Sequence, residues 1–181
     1  MGELTHFYDE IKRQGLEVDF VSPKGGYVLL DPYSLKFMDN VDYKWYADQS
    51  FVEKALAESL KPSAVNPNDY FATYYIGSHG GCGISLMIRS CKSLPCCSMT
   101  REATLQPFAV VGLLNLRHEN GDYLIKGKDV AGFTNTEEIL NQKQKKVPFS
   151  TEDAIKDKGV NYHKKVFFKS YTIADGRIIT E

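Results

Sequence analysis

A chain of 181 residues with 43% apolar and 25% charged residues is long enough to bury a substantial core as one soluble domain. Its net charge of −1 and pI of about 6.4 argue against nucleic acid or an anionic membrane as the main partner. No apolar run approaches the roughly 18 residues that a membrane span needs. Residues 1–6 lack the basic-then-apolar pattern of a signal peptide, so the cytoplasm is the expected compartment.

Leu4, Phe7, Tyr8 and Ile11 recur at helical spacing, which predicts an amphipathic helix over residues 1–15 with Gly15 as its stop. Residues 17–22 alternate as a strand does and run into Pro23 and Gly25-Gly26. Helix then strand is half of an α/β repeat, so a strand before the helix is expected, and the sequence starts without one. Residues 27–50, rich in aromatics, aspartates and turn formers, read as a long, partly ordered loop. Residues 51–60 are predicted helical, with Asp48 or Ser50 as cap and Pro62 as the end. A turn at 66–69 precedes a buried strand at 71–76, which feeds the glycine-rich turn Gly77-Ser78-His79-Gly80.

Val111-Gly112-Leu113-Leu114-Asn115-Leu116 looks like the start of a helix packed on a sheet. Residues 122–125 and 130–134 read as short strands around Lys126-Gly127-Lys128. Asn135 or Thr136 is the predicted cap of a helix carrying Glu137, Glu138, Ile139 and Leu140. The lysine-rich run 143–146 reads as a solvated face. A second short helix is expected over 151–158, capped by Ser150 or Thr151. Strands are expected at 165–168 and 170–174, and Asp175-Gly176 as a tight turn into a strand at 177–180. The alternation implies an α/β fold with a mainly parallel sheet and helices on both faces.

All four cysteines, Cys82, Cys91, Cys96 and Cys97, lie in one short segment, which is not how a disulfide framework is spread. With His79 they could form a zinc cluster, but no paired Cys-x-x-Cys spacing supports it, so neither metal nor cofactor is expected. His6, His118 and His163 have no partner signal and read as surface residues.

Several motifs, in order, carry a resemblance. Residues 17–26, Asp31-Pro32-Tyr33-Ser34, the Gly77 turn, residues 127–138 and Asp175-Gly176-Arg177-Ile178-Ile179-Thr180 resemble the ThiJ/PfpI superfamily. Within it they resemble the branch of glutathione-independent glyoxalases (glyoxalase III), deglycases and related chaperone-like stress proteins. The resemblance covers nearly the whole chain except residues 81–110. It implies a single domain over 1–181 with a flavodoxin-like three-layer sandwich, here lacking the first strand and the C-terminal helix.

It also implies a mechanism. A cysteine at a sharp strand-to-helix turn, followed by histidine, becomes a thiolate that attacks the aldehyde of methylglyoxal; proton shifts then lead to D-lactate without metal or glutathione. By the resemblance, Glu3 matches the glutamate that hydrogen-bonds the thiol. Glu138 matches the acid that orients the histidine, with Glu137 its confusable neighbour. Gly77, Ser78, His79 and Gly80 match the oxyanion turn, Ser78 departing from a glycine there. Without the resemblance, Glu3 and Glu138 would read as solvated helix residues. The partners so implied are a small α-oxoaldehyde and a second copy in a homodimer, with no nucleic acid and no membrane.

The cysteine–histidine pair itself is missing near Ala109-Val110. Residues 82–110 are foreign to the family and lack usable periodicity. With suitable codons, regrouping this stretch from the third base yields a Trp-Asp-Phe-Pro-Asp run, an amphipathic helix, Gly-Gly, an apolar strand and a cysteine. The segment therefore reads as a shifted frame, and the chain as written is expected to be inactive. The alternative is a non-enzymatic, chaperone-like relative, which needs exposed apolar surface and no thiol.

Overall fold

The α/β class expected from the sequence is met in the computed structural model, which describes residues 1–66, 69–70, 72–76, 104–107, 110–132, 134–140, 150–165 and 171–181. Its contacts divide the chain into two units, Met1–Val65 and Asn66–Glu181.

The first unit opens with helix α1 (Gly2–Arg13), whose ends complement the helix dipole: Glu3 lies in the first turn, Lys12 and Arg13 in the last. Gly15 stops it, as predicted, with φ of 72°. The strand predicted over 17–22 does not form a ladder. Val21 makes one bridge with Leu60, closed by Leu60 N–H donating to Phe20 (2.8 Å) and Ser22 N–H to Leu60 (3.0 Å). Gly25 then turns the chain in the left-handed region (φ 68°), where a Cβ would stand 3.1 Å from the Ser59 carbonyl oxygen.

The loop expected over 27–50 is largely helical, which corrects the sequence reading. A 3₁₀ turn spans Ser34–Phe37 and helix α2 spans Asn40–Tyr46. Asp39 and Asp42 close a capping box, with Val41 and Asp42 N–H donating to Asp39 and Asp39 N–H donating to Asp42. Helix α3 (Gln49–Val52) is capped by Asp48, not Ser50, through a 2.7 Å bond from Phe51 N–H. It runs on as a π-helical turn over Glu53–Ala57, so the predicted 51–60 helix is shorter and wider than expected. Phe51, Ala55 and Leu56 form the buried core, packed by Leu4, Tyr8, Phe20, Leu30 and Trp45. Tyr8 meets Trp45 edge-on at 4.7 Å and Phe20 meets Phe51 at 5.6 Å, the arrangement that aromatic quadrupoles favour.

In the second unit, β1 (Ala72–Tyr75), β2 (Thr104–Pro107), β5 (Ile173–Asp175) and β6 (Ile178–Thr180) form a sheet in the order β1-β2-β6-β5. The β1–β2 and β2–β6 pairs are parallel; β5–β6 is the antiparallel hairpin predicted at Asp175-Gly176. A second parallel pair joins β3 (Asp129–Ala131) to β4 (Asn161–His163). The sequence reading did not include β4, a three-residue strand in which exposed Asn161 and His163 flank the half-buried Tyr162. The two sheets are tied by Ala131 N–H donating to the buried Thr180 Oγ1 (2.8 Å) and by Asp175, which takes Asp129 N–H (2.9 Å) and Lys128 Nζ (2.8 Å).

The helix expected to begin at 111 is a single 3₁₀ turn over Val110–Leu113, and the strand expected at 122–125 is a bridge between Arg117 and Tyr123 followed by turns. Leu113, Leu114 and Leu116 of the first stretch and Leu124 and Ile125 of the second are nevertheless buried. Leu113, Leu114, Leu116, Leu124, Ile125, Val130, Ile155 and Ile178 make one core. Helix α4 (Asn135–Leu140) and helix α5 (Thr151–Lys156) complete the unit, α5 capped by Ser150 as predicted. The lysine-rich run 143–146 and most of the 165–168 strand expectation lie outside the described residues.

Candidate functional site

Tyr75 and Pro107, the last residues of β1 and β2, face each other in parallel register. Both strands therefore deliver the chain at one edge of the sheet, and the carboxyl ends of adjacent parallel strands are where open α/β sheets bind ligands. The 3₁₀ turn after β2 folds over the end of β1. Gly112 lies so near Tyr75 that a Cβ would meet the ring at 3.0 Å from Cδ1 and 3.1 Å from Cγ. A side chain there would need the Tyr75 ring to give by a few tenths of an ångström. Of the residues expected here, Gly77, Ser78, His79, Gly80 and Ala109 lie outside the described residues, as do the four cysteines; Val110 opens the 3₁₀ turn.

The acid expected to orient a histidine belongs to α4. The cap is Thr134, one residue before Asn135 and two before Thr136, the candidates read from sequence. Its N–H and Oγ1–H donate to Glu137 Oε2 at 2.9 and 2.8 Å, and its Oγ1 accepts Glu137 N–H at 3.2 Å. Glu137 is thus committed to a capping box. That separates it from Glu138, the next residue of the same helix, for which the resemblance implies the catalytic role.

A buried carboxylate pins this helix. Glu152 is 4% exposed and accepts Asn135 N–H, the first of α4, at 2.8 Å. Asn135 in turn donates through Nδ2 to Asp153 (3.0 Å) and accepts from Ser150 Oγ (2.5 Å), so the beginnings of α4 and α5 are laced together. Burial alone would push the Glu152 pKa up. The Lys156 hydrogen bond, the Asn135 N–H and the charges of Lys156 and Lys164 outweigh it and hold the carboxyl below the usual glutamate range. Nearby, Tyr162 donates to the Gly132 carbonyl at 2.5 Å, and burial, reinforced by the charges of Glu152 and Glu137, pushes its phenol pKa well up.

Glu3, the other expected acid, is half-buried in the first turn of α1 and belongs to the first unit. Sequence reasoning missed the charged cluster on the buried face of the same helix. Asp9 is 4% exposed and takes Lys44 Nζ (2.5 Å), Trp45 Nε1 (2.9 Å) and Arg13 (2.7 Å). The Lys44 hydrogen bond leads in holding the Asp9 pKa below the usual carboxylate range, against burial. Its signal was available: Thr5 and Asp9 sit four apart on the same side as Leu4 and Tyr8.

His6, Asp39 and Asp42 place potential metal ligands within 4.8 Å of one another. Each group already has a partner. Asp39 caps α2 and pairs with His6 at 2.9 Å; Asp42 completes the capping box and accepts the Thr5 hydroxyl. The cluster is accounted for by helix capping.

No protein-family model matches the chain. Over 193 residues it is 28% identical to the glutathione-independent glyoxalase HSP31 of Saccharomyces cerevisiae, covering 98% of this chain and 79% of that protein. Among solved structures, it resembles the Rapid Encystment Protein 24 kDa (REP24) of Francisella tularensis with a TM-score of 0.93 and 30% identity, covering 99% of this chain and 80% of that one. Glyoxalase III (Orf 19.251) of Candida albicans shares the fold, with a TM-score of 0.85 at 21% identity, covering 98% and 79%. The fold is therefore the flavodoxin-like α/β sandwich expected from the sequence. The chain belongs to the ThiJ/PfpI superfamily, in the branch of the glyoxalase III and chaperone-like proteins.

Proposed function

We propose that this chain is a glutathione-independent glyoxalase scaffold, built for small α-oxoaldehydes such as methylglyoxal, that as written lacks its nucleophile and does not turn substrate over. One observation carries the reading: between the end of β2 at Pro107 and the 3₁₀ turn at Val110, where the family resemblance places a cysteine, the residues are Phe108 and Ala109. Neither can attack a carbonyl. The resemblance still assigns acid roles to Glu3 and to Glu138, and an oxyanion turn to Gly77, Ser78, His79 and Gly80. No metal or cofactor is required by this chemistry. Incubating the purified protein with methylglyoxal, without glutathione, and measuring D-lactate tests it; sustained formation would refute the missing-nucleophile reading.

A second reading is a chaperone-like protein, favoured by the apolar side chains that the first unit leaves in solvent. Tyr27, Leu29 and Phe37 are 73%, 85% and 68% exposed. Suppression of client aggregation that is lost in a Leu29→Ser, Phe37→Ser variant, with no loss of methylglyoxal, would favour it. Unchanged suppression in that variant would count against it.

A further inference from the structure

β2 is an interior strand, paired in parallel with β1 along Thr104–Pro107 and with β6 at Leu105↔Ile178. Interior parallel strands read as near-continuous apolar runs, and proline is foreign to them because it has no N–H for the ladder. The residues here are Thr104-Leu105-Gln106-Pro107, with Pro107 set opposite Tyr75. The strand's place and its residues disagree.

We propose that the codons for residues 82–109 carry the sheet's proper helix and strand one base out of register, with a cysteine encoded directly after β2 in the displaced frame. When codons are regrouped from the third base, the last two bases of each new codon are the first two of an observed one, so little is free. Phe108 begins TT, so the codon spanning Pro107 and Phe108 gives Phe, Leu, Ile or Val whatever codons are used. The codon spanning Gln106 and Pro107 gives only Thr or Ala, which removes the proline. The codon spanning Phe108 and Ala109 gives only Cys or Arg. One consistent choice reads Tyr-Ile-Ala-Ala-Val-Cys, and its Ile-Ala-Ala-Val part coincides in extent with β2. The match of frame to strand boundaries comes from the sheet and the genetic code. It deepens the functional reading above and rests on it only for the role of the thiol.

The nucleotide sequence of the gene and transcript between the codons for Tyr75 and Leu114 tests this directly. The expected result is a displaced frame open throughout, apolar across β2, with a cysteine codon at the Phe108/Ala109 junction. A stop codon within that frame, or an arginine codon at the junction, would overturn the proposal while leaving the functional reading intact. D-lactate formation by the written polypeptide would do the reverse. On the protein, Pro107→Val should raise the urea midpoint, since it restores the N–H and the apolar character that an interior strand uses; a lowered midpoint would contradict the strand argument.

Discussion

Replacing Glu152 separates two effects that the structure superimposes. Its carboxylate accepts Asn135 N–H and pairs with Lys156 and Lys164, whose side chains are 48% and 57% exposed. A hydrogen bond to a charged group contributes about 1.5–3 kcal/mol, whereas an exposed i,i+4 ion pair contributes about 0.3–0.5 kcal/mol after solvent screening. The backbone bond should dominate. Glu152→Ala is expected to cost about 2–3 kcal/mol, Glu152→Gln about 1 kcal/mol because its amide oxygen still accepts, and Lys156→Ala no more than about 0.5 kcal/mol. With a urea slope of roughly 1–3 kcal/mol/M, Glu152→Ala should lower the midpoint by about 0.7–3 M. Urea titrations by circular dichroism, with hydrogen exchange at the Asn135 amide, give the comparison. The sign with pH follows from the lowered pKa. A carboxyl depressed in the fold stabilises above the ordinary glutamate value of about 4.3, and loses that contribution as pH falls through the lower folded value. The Glu152→Gln deficit should therefore be full at neutral pH and shrink in acid. If Lys156→Ala proves as costly as Glu152→Ala, the hydrogen bond is not what holds α4.

The other perturbations test each unit's packing. Phe51 is 1% exposed and its ring centroid lies 5.0 Å from that of Tyr8, so Phe51→Ala should cost about 3–5 kcal/mol. Trp45, the only tryptophan, packs against Phe51 and will report the transition by fluorescence; a loss below about 1 kcal/mol would show that this core is not closed. Gly112→Ala puts a Cβ at 3.0 Å from the Tyr75 ring and should destabilise by about 1–3 kcal/mol, measured by chemical denaturation. An unchanged midpoint would mean that the turn does not press on β1.

Local chemistry was legible in the sequence wherever it decided the structure alone. Asp175-Gly176 specified its hairpin, Gly15 ended α1 and Ser150 capped α5 because each acts on its immediate neighbours. The Asp39–Asp42 capping box was also local, yet aromatic and turn-forming neighbours disguised α2 as a loop. Thr134 was missed as a cap because Asn135 is an equally good capping residue and what recruits it elsewhere, Glu152, is distant in sequence. β4 is a three-residue strand that exists through its pairing with β3. The 17–22 alternation was genuine but found one bridge, since a strand needs a partner as well as a pattern. The resemblance pointed to Glu138 with Glu137 as its confusable neighbour, and the structure shows Glu137 engaged in a capping box.

The most direct measurement is methylglyoxal turnover by the purified polypeptide without glutathione, read as D-lactate and run beside the yeast glyoxalase HSP31 as a working relative. The expected result is D-lactate from the relative and none above the protein-free blank from this chain, because Phe108 and Ala109 offer no nucleophile after β2. Glutathione-independent D-lactate that rises with the concentration of this protein would contradict the account.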